Sequence, residues 1–203
     1  MPTIVDCEQN SEQWWAEKLG KPSASKASVL MANIGKPDKQ RKLRNGYLYE
    51  LVGEIITQQR VDGYQNINML VGKERETESR MFYEMVYGVK VEQVGVVYKD
   101  EKKECLCSPD GLINREYGLE MKNVLPKTQV KYLLENKVPS EYLPQIQFSL
   151  YVTGFKFWDF FSYSPGLRPL IIRVTRDKKF IEALEAELKA FCKELKEVVR
   201  KIR

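Results

Sequence analysis

In the segment Ser108-Pro-Asp-Gly-Leu-Ile-Asn-Arg-Glu-Tyr-Gly-Leu-Glu-Met-Lys122, two carboxylates and an amine stand at spacings that permit chemistry. Asp110 follows a strand candidate at a Pro-Asp-Gly turn, and Glu120 and Lys122 lie two apart on a second strand candidate. Side chains alternate along a strand, so residues 120 and 122 share a face. If the two strands form a hairpin, Asp110 approaches that face and two carboxylates meet one ammonium. Carboxylates that close repel each other, and a cation relieves the repulsion. Oxygen-only ligands suit Mg2+, with Mn2+ as a substitute. Such an ion polarises a phosphate and lowers the pKa of a bound water, which is the chemistry of phosphodiester hydrolysis. Lys122 would position or deprotonate that water, or neutralise the transition state. A Pro-Asp-Gly turn or a Glu-x-Lys pair alone is an ordinary surface feature. Their order on facing strands makes them a site.

Composition removes the common rivals. The 203 residues contain no histidine, which excludes Ser-His-Asp triads and histidine-ligated zinc. The four cysteines, Cys7, Cys105, Cys107 and Cys192, form no C-x-x-C pair and read as free thiols of a reducing, cytoplasmic setting. No apolar run is long enough to span a membrane, and the start shows no signal peptide. The formal charge of +5 permits nucleic-acid binding without demonstrating it. Length and composition indicate one domain, 1–203.

The elements that must position these residues follow from periodicity. A helix is expected from near Ser25 and another from about Asn45 to Gln59, joined by the basic linker Gly35 to Arg44. Met69 to Tyr87 favours helix, stopped by Gly88. Strands are expected at Val91–Tyr98, Glu104–Ser108, Leu119–Lys122, Phe155–Ser162 and Leu170–Val174, and helices at 126–136 and 140–153. From Lys178, the apolar residues Ile181, Leu184, Leu188, Phe191, Leu195, Val198 and Ile202 mark one stripe of a long amphipathic helix, expected to be core. The order predicts an α/β domain with a central mixed sheet flanked by helices.

The layout from Pro109-Asp110 to Glu120-x-Lys122 is that of the PD-(D/E)xK nuclease superfamily, whose restriction-endonuclease-like core is then the expected fold. The stretch Gly72 to Lys122 resembles the lambda exonuclease and YqaJ-type viral recombinase family, most clearly in Cys107-Ser-Pro-Asp-Gly-Leu112 and Gly118-Leu-Glu-Met-Lys122. Gly72-Lys-Glu-Arg-Glu76, Tyr142-Leu-Pro-Gln-Ile-Gln-Phe-Ser-Leu-Tyr-Val-Thr153 and Trp14-Trp-Ala-Glu-Lys-Leu-Gly-Lys-Pro-Ser-Ala-Ser25 extend it. The resemblance implies that Glu76, Asp110, Glu120 and the carbonyl near Met121 hold the metal, though helical spacing alone does not choose Glu76 over Glu74 or Glu78. It implies that Lys18, Ser25 and Ser108 hold a terminal 5′-phosphate, with Lys18 standing where the family places arginine. Gln145 and Gln147 lie two apart on a helix and cannot both face the site; Gln145 matches the family's glutamine and is expected to contact DNA.

Lys39, Arg41 and Arg44 of the basic linker are expected to contact DNA, since relatives carry there a segment that inserts at a duplex end. The resemblance further implies a ring of three subunits, a single-strand annealing partner, a phage or prophage setting, and 5′ to 3′ digestion of one strand from linear duplex ends. An endonuclease with the same site, or an inactive DNA-end-binding protein, are the alternatives. Iron–sulfur nuclease relatives are disfavoured, because Cys105 and Cys107 sit inside the nuclease strand.

Overall fold

The computed structural model describes residues 1–60 and 75–203. The expected helix start at Met69, and most of the Gly72–Glu76 motif, fall outside the described residues. In chain order the elements are β1 (Thr3–Val5), α1 (Glu12–Lys18), α2 (Ala27–Leu30), α3 (Lys42–Thr57), α4 (Glu76–Tyr87), β2 (Val91–Glu92), β3 (Val96–Tyr98), β4 (Leu106–Cys107), β5 (Gly111–Ile113) and β6 (Tyr117–Asn123). They continue with α5 (Pro126–Glu135), α6 (Leu143–Thr153), β7 (Phe157–Tyr163), β8 (Leu170–Thr175) and α7 (Lys178–Ile202). Among the described residues, no helix is long and apolar enough to cross a membrane.

A five-stranded mixed sheet has the order β2-β5-β6-β7-β8, with β6 and β7 parallel and the other pairs antiparallel. It separates two apolar layers. On one face Leu112, Trp158 and Phe160 join a large core with α2, α3, α6 and α7. On the other, Ile113, Leu119, Met121 and Phe161 pack with Tyr83 of α4. This is the expected mixed sheet between helices. Gly118 makes room for the indole of Trp158, its partner on β7, since a Cβ there would sit 2.3 Å from that ring.

The apolar stripe of α7 is core from Ile181 to Leu195, while Ile202 at its end is exposed. Asp177 caps the helix by accepting from the Phe180 amide at 3.0 Å. Gly88 and Gly154 end α4 and α6 in left-handed backbone, as the sequence indicates.

Two expectations are corrected. The run Val91–Tyr98 is not one strand: β2 belongs to the five-stranded sheet, whereas β3 joins a second, three-stranded sheet of order β1-β3-β4. Gly95 lies in the crossing, where a Cβ would fall 2.2 Å from Cys7 Sγ. The hairpin partner of β6 is also not Glu104–Ser108. It is β5, immediately after Asp110, joined to β6 through Asn114 and Arg115, both at positive φ.

Candidate active site

The hairpin register explains the ten-residue interval between the two acids. Gly111 pairs with Leu119, so the next position outward sets Asp110 opposite Glu120. Directly opposed residues project to the same face. β5 begins only at Gly111, and Asp110 Oδ2 accepts the Met121 amide at 2.6 Å in place of a strand carbonyl. One period along β6, Lys122 Nζ lies 2.5 Å from Glu120 Oε1. Gln145, in the first turn of α6, donates to the same Glu120 oxygen at 2.7 Å. Tyr142, three residues earlier, lies under the Lys122 ammonium, 5.0 Å from ring centre to Nζ.

These charges are buried and unbalanced. The Glu120 side chain is 2% exposed and that of Lys122 25%. Burial, then the Glu120 charge, push the Asp110 carboxyl up to about 8, with Lys122 and the Met121 amide opposing and Glu76 adding a smaller push. Burial works against the Lys122 ammonium, but Glu120 and Asp110 outweigh it and hold its pKa above the ordinary lysine value. The donor set is therefore two carboxylates with a backbone segment at Met121, beside an amine that stays charged. Oxygen donors of this kind, short of positive charge, fit a hard divalent cation.

Glu76 does not join them closely. It opens α4, and among the described residues no three acidic, cysteine or histidine side chains assemble into a group able to hold a metal. Glu78 instead accepts from the Tyr163 hydroxyl at 2.7 Å. Gln147 is structural: it donates to the Thr175 carbonyl and accepts the Asp177 amide, both at 2.8 Å, tying α6 to β8 and α7.

Lys18 and Ser25 line one pocket of about 220 Å³, together with Trp15, Ser23, Lys26 and Arg60. Burial, and next the Arg60 charge, lower the Lys18 pKa to about 8. The Lys18 ammonium lies 3.8 Å from the centre of the Trp14 ring, and that indole donates to Ser108 Oγ at 2.9 Å. The Ser108 hydroxyl itself donates to the Gly95 carbonyl at 2.6 Å. Its proton is thus spent inside the fold, and the link from Ser108 to Lys18 runs through Trp14.

The expected DNA role of Arg41 and Arg44 is corrected. Arg44 is not in a linker but in the first turn of α3, and both arginines are buried. Arg41 and Arg44 share Glu187 of α7, with contacts of 3.0 Å each, and Arg44 reaches Glu194 at 2.5 Å. Arg41 also donates to the Leu30 and Ala32 carbonyls. Both guanidinium groups clamp α3 to α7. Lys39, in the 3-10 turn Asp38–Gln40, is exposed.

Sequence reading missed Tyr142 and Arg60. Tyr142 was open to detection, since it precedes Gln145 by three residues and so shares its helix face. Arg60 gave no signal: it lies beyond the end of α3 and reaches the pocket only by stacking on Trp15, 3.3 Å from the ring centre.

Comparison with known proteins bears on the whole chain. The structure is similar to crystal structures of LHK-Exo, an alkaline exonuclease from Laribacter hongkongensis, one of them in complex with dAMP: TM-score 0.83 and 28% identity, over 95% of this chain and 96% of that one. It shares its fold with a phage-related exonuclease from Haemophilus somnus 129PT, at TM-score 0.67 and 10% identity, over 90% and 96% of the two chains. A search of curated protein sequences finds no significant match. A family model described as the YqaJ-like viral recombinase domain matches residues 13–156. That span takes in the hairpin, Gln145 and the Lys18–Ser25 pocket, and the chain belongs to the YqaJ-like viral recombinase family.

Proposed function

We propose that the protein is a metal-dependent exonuclease that hydrolyses one strand of linear duplex DNA from its 5′ end and leaves single strand for recombination. The observation that carries this reading is the meeting of Asp110, Glu120 and Lys122 at adjacent positions of one hairpin, with Gln145 on Glu120. Asp110, Glu120 and the Met121 carbonyl would hold Mg2+, or Mn2+ in its place, with Glu76 as a more distant acid. When bound, the ion activates water and polarises the scissile phosphate. Gln145 orients the Glu120 carboxylate. Lys122, held as ammonium by the two acids, neutralises charge that builds on the phosphate oxygens in the transition state.

Lys18 and Ser25 are suited to a terminal phosphate, which carries more charge than an internal diester and favours cations and hydroxyls. Lys39 is suited to the duplex backbone. A ring of three subunits and hand-over of the single strand to an annealing protein belong to the same proposal and rest on the family resemblance. Mass measurement of the free protein, with expected mass three times that of the chain, tests the ring.

The deciding experiment is digestion of linear duplex with either a 5′-phosphate or a 5′-hydroxyl end, and of covalently closed circles, with Mg2+ or with chelator. Release of mononucleotides from linear DNA alone, in Mg2+ alone, is expected. Cleavage of closed circles at the same rate would replace the exonuclease with an endonuclease, and full activity in chelator would remove the metal.

A further inference from the structure

A groove distinct from the candidate active site lies where four segments meet. They are residues 20–22 after α1, Ile55 near the end of α3, the turn at 102–104 between β3 and β4, and the last turns of α7. Its volume of about 480 Å³ falls in the roughly 300–1,000 Å³ range of sites that take a compact ligand. The floor is apolar, made by Pro22, Ile55, Leu195 and Val199, all buried or half-buried. The rim carries Lys21, Lys102, Lys103, Lys196 and Arg200 against a single acid, Glu104.

The rim is not neutralised by the fold. Lys196 pairs with Glu104, and Lys103 reaches Glu17 at 3.7 Å. Lys21 donates to the Glu17 carbonyl at 2.7 Å. Burial first, and Lys103 besides, lower the Lys21 pKa despite Glu17. Among the described residues, Lys102 and Arg200 have no ion-pair partner. The rim therefore has positive charge to spare, around an apolar floor that water fills at a cost.

We propose that this groove docks an acidic peptide segment of a partner protein, seating one large apolar side chain on Ile55, Leu195 and Val199 with carboxylates against the rim. Charge complementarity selects an acidic ligand, and the floor selects peptide over nucleic acid. Single strands hold to proteins by stacking bases on aromatic rings, and no aromatic side chain lines this groove. A peptide uses both parts: an anchor in the groove fixes its register, and rim charges set partner choice and speed encounter.

The test is fluorescence anisotropy on the full chain with three labelled probes. These are a decapeptide of aspartates around one phenylalanine, the same peptide with alanine for phenylalanine, and an oligothymidylate of equal net charge. The phenylalanine peptide is expected to bind at least tenfold more tightly than either control. The double reversal Lys102→Glu with Arg200→Glu, at exposed and unpaired positions, should weaken it at least tenfold, and so should Val199→Asp. The reversals Lys127→Glu and Lys137→Glu, on exposed residues outside the groove, should leave it unchanged. Equal binding of the alanine peptide or of oligothymidylate overturns the proposal, as does indifference to the groove reversals. Digestion of linear duplex by the same preparations is scored separately; its absence would refute the exonuclease reading and leave the docking result standing.

Discussion

Two buried charge clusters of this molecule have opposite design. Around Glu187, two arginines meet two carboxylates, and the Arg41 guanidinium donates its spare protons to the Leu30 and Ala32 carbonyls. Around Glu120, two carboxylates meet one ammonium, and burial together with Glu120 pushes Asp110 up to about 8. The first cluster is balanced and holds α3 on α7. The second is short of one positive charge, at the place where Asp110, just ahead of β5, stands opposite β6. A balanced cluster serves stability, since each of its members would be costly to bury alone. An unbalanced one stores a demand for a ligand, and that demand is the basis of the metal chemistry proposed here.

The contrast breaks most sharply under alanine substitution at the unbalanced cluster. Asp110→Ala or Glu120→Ala should abolish hydrolysis while leaving the fold intact, because each removes a ligand and relieves the repulsion between the two acids. Lys122→Ala should lower kcat by about 10²–10³-fold, the usual loss for one preorganised charge at a transition state. Wild-type turnover in Lys122→Ala, measured on linear duplex, would reduce Lys122 to a surface lysine.

At the balanced cluster the effect should fall on stability. Arg44→Ala leaves Glu187 and Glu194 short of a partner and should cost about 3–5 kcal/mol of folding free energy, read by denaturant titration. DNA hydrolysis per folded molecule should persist. A stable Arg44→Ala protein with weakened DNA affinity would restore the DNA role that the structure takes away from this residue.

Lys18 gives a smaller and pH-dependent effect. A 5′-phosphate end should be preferred to a 5′-hydroxyl end about tenfold, or about 1.4 kcal/mol, and Lys18→Ala should erase the preference. Because Lys18 is lowered to about 8, the preference in kcat/KM should fade as pH rises through that value. The sign for stability is the reverse. Below pH 8 both folded and unfolded chains carry the Lys18 proton, and only the folded chain bears the cost of burying it. Between that value and the ordinary lysine range only the unfolded chain keeps it, so this group's contribution to stability rises with pH. A preference unchanged to pH 9 would show that the Lys18 amine does not hold the phosphate.

The smallest effect belongs to Lys39. It is exposed, so Lys39→Ala should leave stability alone and reduce the salt slope of DNA binding by about one. An unchanged slope would exclude a phosphate contact at that position.

Local pattern made much of this molecule legible. The α7 stripe, the glycine stops of α4 and α6, and the two-residue step from Glu120 to Lys122 all follow from period and backbone freedom within a few residues. So did the choice of Gln145 over Gln147 as the residue nearer the acids, through the resemblance, and the structure shows why only one is available: Gln147 is spent on Thr175 and Asp177. Three things were not legible. The split of Val91–Tyr98 between two sheets depends on partners far along the chain. The true hairpin strand, β5, is only Gly111–Ile113, too short to show alternation. The burial of Arg41 and Arg44 depends on Glu187, more than 140 residues away.

By itself, then, the sequence determined which groups are available: two acids and an amine at fixed spacing, no histidine, and one long amphipathic helix. Residue type and period are properties of the local chain, so one strand can be read to place Glu120 and Lys122 on one face. Only tertiary structure decided which charges are satisfied. The β5–β6 register set Asp110 against Glu120, while the packing of α3 on α7 withdrew Arg41 and Arg44 from solvent. The physical reason is that the energy of a charge depends on its burial and on partners distant in the chain, and composition and spacing contain neither.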